Sequence, residues 1–205
     1  MKKSRTYSRR QQALFAVALL AAAVALSQML GLIALLPGQV VRENELSNGL
    51  PAMEIFYSAD GGEAPMRGKR LYLSRSGDTL LYSVAQFTPL GGWYPMFNGT
   101  VLDLSEGGCA AYHCVSRGET GWLCLFGFVP EGEEPPSFTL TVTGLEETAF
   151  YSETFTPAAE IPTAGGACFL LTATYPLPAE ERGRQVRVEP EGGGFLPYTS
   201  TALLH

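Results

Sequence analysis

The sequence predicts an all-β domain carried behind one N-terminal apolar helix. Residues 13–36 form an apolar run of 24 residues in which Ser27 and Gln28 are the strongly polar members. After residue 52, short stretches of alternating apolar and polar residues recur at intervals of roughly ten residues, separated by residues that favour turns. In that part of the sequence, the apolar spacing of a helix is not maintained for more than two turns. The expected architecture is an antiparallel β-sandwich of about ten strands, with a partly closed barrel as the alternative.

The apolar run at 13–36 is long enough to cross a membrane. As an α-helix it would reach about 36 Å, against a hydrocarbon core of roughly 30 Å. Residues 1–12 carry five basic residues and no acid, which predicts that the amino terminus stays in the cytoplasm. The alternative is a cleavable signal peptide with its small-residue site at 25–27, which would leave a secreted protein. Apolar residues continue from Met29 to Leu36, which favours an uncleaved anchor.

The chain divides into five segments on these criteria. They are a cytoplasmic basic tip at 1–12, a transmembrane helix at 13–36, a stalk at 37–52, an extracytoplasmic β-domain at 53–189 and a flexible tail at 190–205. The segment 37–52 mixes Pro, Gly, Asn and charge without apolar periodicity, which is typical of a linker. The tip is too short to fold by itself.

Charge is distributed very unevenly along the chain. All 20 acidic residues and nine of the 14 basic residues lie from Arg42 onward, so the exported part has a net charge of −11 and the tip +5. An acidic exterior repels nucleic acid, which is therefore not expected as a partner. The expected partners are membrane lipid around residues 13–36 and a protein in the membrane or outside it. No cofactor is expected.

The predicted strands follow from alternating apolar residues bounded by turn signals. They lie at residues 53–58, 70–74, 79–87, 93–97, 100–104, 110–116, 122–129, 137–144, 148–156, 167–175 and 185–189. Asn98-Gly99 is the favoured pair for a type I′ turn, so we expect 93–97 and 100–104 to form a hairpin. The same residues begin an Asn-Gly-Thr glycosylation sequon.

The segment 137–144 has the most regular strand pattern. Phe138, Leu140 and Val142 alternate with threonines, so the apolar and hydroxyl side chains should lie on opposite faces. This predicts a sheet with one side in contact with water.

All four cysteines, Cys109, Cys114, Cys124 and Cys168, lie in the exported part, which suits an oxidising compartment. If Ser116 opposes Trp122, antiparallel register places Cys114 opposite Cys124, at a separation that a disulfide spans. We therefore predict a Cys114–Cys124 disulfide. Cys109 and Cys168 are possible members of a second disulfide or buried thiols.

A zinc site is the other way to use these residues. Cys109, His113, Cys114 and Cys124 lie within 16 residues, but their spacing lacks the C-x2-C or H-x3-H unit of short zinc loops. Strand alternation also separates the side chain of His113 from that of Cys114. No metal site is expected.

A catalytic set is hard to assemble from this sequence. His113 and the terminal His205 are the two histidines, so a Ser-His-Asp or Cys-His arrangement would depend on His113. Three carboxylates lie close together in a Pro-rich loop, at Glu131, Glu133 and Glu134. Paired acids could serve calcium binding or glycoside hydrolysis, but we expect these to form a solvated surface. No catalytic residue is expected.

Aromatic residues cluster in neighbouring predicted strands and either fill a core or form a recognition surface. The candidates for a binding surface are Trp93, Tyr94 and Trp122. The leading expectation for function is a non-enzymatic interaction or sensing module outside the cell. The alternatives are a membrane-tethered hydrolase or metalloenzyme that uses His113, and an accessory subunit whose helix docks through Ser27, Gln28 and Gly31.

Overall fold

The computed structural model describes residues 8–29, 34–62, 66–89, 91–144, 149–178, 184–192 and 196–201, with the backbone alone at 28–29 and 196–201. The helices are α1 (Arg9–Met29) and α2 (Gln39–Ser47). The strands are β1 (Glu54–Asp60), β2 (Arg70–Ser76), β3 (Thr79–Thr88), β4 (Gly92–Pro95), β5 (Thr100–Asp103), β6 (Cys109–Arg117), β7 (Thr120–Pro130), β8 (Phe138–Thr143), β9 (Ala149–Phe155), β10 (Ile161–Thr163), β11 (Gly166–Pro176), β12 (Gln185–Pro190) and β13 (Leu196–Thr201).

These strands form three sheets. The front sheet has the order β1-β2-β3-β4, with β5 also paired to β3. The middle sheet has the order β10-β11-β7-β6-β13, and the back sheet β12-β8-β9. The prediction of an all-β domain behind an N-terminal apolar helix is confirmed, and none of the three sheets closes into a barrel within the described residues.

The middle sheet lies between the other two, which adds a layer to the expected sandwich. Even-numbered residues of β7, such as Trp122 and Phe126, pack against front-sheet residues that include Tyr82. Odd-numbered residues such as Leu125 pack against back-sheet residues that include Phe138. Nine consecutive residues of β7 are buried because both of its faces are covered.

The back sheet keeps one face in water, as its sequence predicts. Along β8 the residues alternate strictly between buried and half-buried, with Phe138, Leu140 and Val142 on the buried side. Thr139 on the other side shares a hydroxyl hydrogen bond of 3.0 Å with Thr154 of β9.

The predicted stalk at 37–52 is wrong, because most of it folds as α2 against the outer face of the front sheet. Val40 and Val41 are buried there beside Leu81. After the helix, Gly49 adopts a φ of +67°, and the amide of Leu50 donates to the Glu45 carbonyl at 2.8 Å, which closes a Schellman motif. A helix as short as 39–47 is not stable in water by itself. Burial against the front sheet therefore stabilises α2 more than the helix propensity of its residues does.

The predicted hairpin around Asn98-Gly99 is also wrong. Both β4 and β5 pair with β3, one after the other along the same edge, and the intervening residues form a kink. Gly99 has a φ of +77°, and a Cβ there would lie 2.8 Å from Leu81 Cδ1. The Asn-Gly pair therefore serves a close approach to the neighbouring strand rather than a chain reversal.

The β6–β7 hairpin forms at a register one residue away from the prediction. Arg117 pairs with Thr120, so two residues make the turn, and Gly118 adopts a φ of +61°. Cys114 consequently faces Leu123, and Cys124 faces His113. A slip of one residue transfers side chains to the opposite face of the sheet.

The carboxyl-terminal part holds more structure than expected. The segment 196–201, predicted as part of a flexible tail, forms strand β13 and pairs in parallel with β6. The segment 161–163, predicted as loop, forms the short edge strand β10 beside β11. Residues 145–148, which join the predicted strands at 137–144 and 148–156, lie outside the described residues.

Helix α1 begins at Arg9 and continues to Met29, whereas the predicted membrane span runs from 13 to 36. Residues 9–27 have a mean hydropathy of 1.5, and none of them is buried within the protein. By length and composition this helix suits a membrane anchor or a signal sequence.

Candidate functional site

His113, the expected centre of any catalytic arrangement, is completely buried between the front and middle sheets. Its ring lies 4.3 Å from the Phe97 ring and about 6 Å from those of Tyr82 and Trp122, measured between centroids. Neither ring nitrogen has a hydrogen-bond partner within the described residues. Burial lowers the pKa of His113 to about 4, and the positive charge of Lys69 contributes. The imidazole is therefore neutral at pH 7.

Cys124 lies across from His113 on β7 and is fully buried on the same face. Burial raises the pKa of its thiol to about 12. The pKa of Tyr82 is itself raised, first by burial and then by Cys124. A neutral imidazole and a protonated thiol in an apolar pocket lack both the access and the ionisation that nucleophilic catalysis needs.

The other three cysteines are buried free thiols as well. Burial raises the pKa of Cys109 to about 11, and those of Cys114 and Cys168 to about 12. The predicted Cys114–Cys124 disulfide is wrong, because these side chains point to opposite faces of the middle sheet. Cys109 and Cys168 both pair with Phe128, so β7 separates their backbones by about 10 Å, too far for a disulfide.

The four residues considered for zinc do not converge. Cys114 lies on the face opposite His113 and Cys124, and Cys109 is four residues from His113 along β6, about 13 Å away. Within the described ranges, no three His, Cys, Asp or Glu side chains are grouped so that they could hold a metal ion.

The acidic loop also follows its expected role as a solvated surface. Glu131, Glu133 and Glu134 are exposed in the connection after β7. Glu131 and Glu133 line an open depression, together with small residues that include Gly132 and Gly165.

The three aromatic candidates for a binding surface lie in different environments. Trp122 is only 2% exposed and belongs to the core between the front and middle sheets, so it cannot contribute to a surface. Tyr94 is half-buried, and its hydroxyl pairs with the Gln86 side chain. Trp93 is half-buried at the outer face of the front sheet, next to α2.

Trp93 and three exposed apolar residues near the β4 edge form a set that we call the aromatic edge, defined as Leu35, Leu36, Phe87 and Trp93. Phe87 is the cross-strand partner of Trp93, and their ring centroids are 5.5 Å apart. Phe87 is 51% exposed although it is a large apolar residue. Leu35 and Leu36 are exposed to a similar degree.

The aromatic edge is tied to the segment that follows α1. The amide of Trp93 donates a hydrogen bond of 2.8 Å to the carbonyl of Ala34, and Ala34 forms bridges with Gly92 and Trp93. Gln39 then accepts a hydrogen bond from the Leu36 amide as α2 begins. Ala34 is thus held against the edge of β4.

Sequence reasoning missed Phe87 and Leu35 as surface residues. The sequence predicts a strand that ends at Phe87, one residue before the observed end of β3 at Thr88, but it pairs Trp93 with residues 100–104 in a hairpin. The signal lay in residues 88–92, where Thr, Pro and two glycines favour a chain reversal between β3 and β4. Gln28 and Gly31, the helix-contact candidates, have no described side chains.

Comparisons with protein-family models, with curated proteins and with solved structures find no match to this chain.

Proposed function

We propose that this chain is a single-pass membrane protein that holds its β-domain outside the cell as a non-enzymatic interaction or sensing module. One observation carries the proposal: α1 is an apolar helix with none of its apolar window buried against the protein. A cytosolic protein would leave that surface in water at a large cost in free energy, whereas a bilayer covers it.

The charge distribution supports the orientation. Five basic residues precede the apolar run, and the body that follows it carries a net charge of −11. Positive charge close to a span is retained on the cytoplasmic side, which leaves the β-domain on the other side.

Two features support a role in binding rather than catalysis. The neutral, buried state of His113 and the raised pKa of Cys124 favour a structural role for the residues that would otherwise be catalytic. The back sheet ends in the edge strand β9, which carries Phe150 at 53% exposure and suits contact with a protein partner.

The buried native thiols allow a direct test of topology. Cysteines would be introduced one at a time at exposed positions, by Ser8→Cys before the span and Ser152→Cys on β9. We expect a membrane-impermeant maleimide to label the Ser152→Cys variant on intact cells, and the Ser8→Cys variant only after lysis. The unsubstituted chain controls for background because its four thiols are buried.

The same preparations distinguish an anchor from a cleaved signal sequence. We expect the intact mass of the purified protein to include residues 1–36, and the protein to sediment with membranes. Labelling of the Ser8→Cys variant on intact cells would indicate the reverse topology. A mature chain that begins near residue 28 would indicate a cleaved signal sequence and a secreted protein.

A further inference from the structure

We propose that the aromatic edge lies in the membrane interface and holds the β4 edge of the front sheet against the bilayer. The inference rests on the proposed anchoring through α1, and it adds an orientation for the domain and a lipid contact made by its own side chains. The occupant of this apolar surface is then the headgroup and upper acyl region of the lipid.

Chain connectivity limits how far the edge can be from the bilayer. Met29 ends α1, and Ala34 is five residues later, so the two Cα atoms are at most about 18 Å apart. Trp93 is hydrogen-bonded to Ala34, so the edge of β4 lies about as far from the bilayer as Ala34 does.

The length of α1 places its last described residue near the end of the hydrocarbon core. A helix needs about 20 residues to cross about 30 Å of hydrocarbon, and α1 has 21 residues, so Ala34 lies at most about 18 Å beyond that end. Leu35 and Leu36 follow directly, and both are exposed to solvent in the isolated protein. These residues would sit where the acyl chains meet the headgroups.

The chemistry of the edge suits this depth. Tryptophan is enriched at membrane interfaces because its ring is apolar and its indole N–H remains able to bond with water or headgroups. Phe87 packs beside Trp93 and turns half of its surface outward, so lipid would cover area that water covers in the isolated domain.

Tryptophan fluorescence can test the contact because the chain has two tryptophans and neither lies in the span. The full-length protein would be reconstituted in phosphatidylcholine vesicles with bromine atoms at a shallow position on the acyl chain. Zwitterionic lipid avoids repulsion of the acidic domain. We expect brominated lipid to quench the wild-type emission, and we expect that quenching to be lost in the Trp93→Phe variant, because Trp122 is buried.

A second pair of variants tests the surface without changing the fluorophore. Phe87→Glu should weaken the quenching of Trp93, because a carboxylate at the edge opposes burial in lipid. Phe150→Glu is the matched control and should leave the quenching unchanged. Phe150 is about as exposed as Phe87, but it lies on the back sheet, which the middle sheet separates from the front sheet.

Vesicle flotation separates failure of this inference from failure of the anchor. Protein that floats with the vesicles while its emission is unaffected by bromine would overturn the lipid contact and leave the anchor in place. Persistent quenching in the Trp93→Phe variant, or equal effects of Phe87→Glu and Phe150→Glu, would also overturn it. Protein that fails to float would overturn both the anchor and the contact.

Discussion

His113 on β6 lies directly opposite Cys124 on β7, and both side chains point into the core shared by the front and middle sheets. This pairing places the one buried imidazole of the described residues in an apolar pocket with no hydrogen-bond partner. Burying two unpaired ring nitrogens costs free energy, and the cost rises when the ring must also accept a proton.

Acid should therefore destabilise the fold through His113. Its pKa is about 4 in the folded protein and 6.5 when exposed, so between these values the unfolded chain binds a proton that the folded chain does not. Stability at this site is complete above pH 6.5 and is lost as the pH falls toward 4, by about 3 kcal/mol at about 1.4 kcal/mol per pKa unit. Urea unfolding of detergent-solubilised protein at pH 7 and pH 4 measures the loss.

The His113→Leu variant is the control for that measurement. Leucine fills a similar volume and has no group that accepts a proton. Acidification from pH 7 to pH 4 should therefore destabilise the variant by about 3 kcal/mol less than the wild type. An equal acid sensitivity in both proteins would assign the effect to carboxylates elsewhere.

The four thiols should be unreactive in the folded protein. Each is buried, and burial raises each pKa to about 11 or 12, so the thiolate population at pH 8 is very small. We expect no alkylation by iodoacetamide under native conditions and four additions after denaturation, read from the intact mass. Fewer than four additions to the denatured, unreduced chain would indicate a disulfide and contradict the free-thiol state.

Gly127 should not accept a side chain. A Cβ at this position in β7 would lie 2.3 Å from the Cys109 carbonyl oxygen and 2.5 Å from Phe169 Cζ. Gly127→Ala is expected to lower the free energy of unfolding by about 1–3 kcal/mol or more through overpacking. Thermal unfolding followed by circular dichroism reports the change.

The Gly144→Ala variant is the matched control for Gly127, because no atom lies within 4 Å of a Cβ at residue 144. Its stability should stay within about 0.5 kcal/mol of the wild type. Equal destabilisation by the two substitutions would mean that the cost does not come from the contacts with Cys109 and Phe169.

Glu45 should stabilise the attachment of α2. Its carboxylate is almost fully buried, accepts a hydrogen bond of 2.9 Å from the Met53 amide and forms a 2.7 Å ion pair with Arg42. Glu45→Ala would leave the Met53 amide without this partner and is expected to cost about 1–3 kcal/mol in urea unfolding. Glu43→Ala, on the exposed side of the same helix, should have little effect.

Local pattern was sufficient for most of the strands. Alternation in β8 predicts which residues are buried there, because its back face is in water and a period of two is visible. The same information could not reveal that β7 is covered on both faces, since a continuous apolar run has no preferred side. The third layer depends on which sheets meet, and that is a tertiary property.

The sequence by itself determined the apolar helix, the uneven charge and the all-β character of the domain, because each depends on composition or on period within one segment. The tertiary structure decided the register of β6 against β7, and with it the faces of Cys114 and Cys124, because a two-residue turn and a longer one are both compatible with residues 117–121. It also decided that 39–47 is helical and that Phe87 meets Trp93. These outcomes depend on burial between distant segments, which no local pattern encodes.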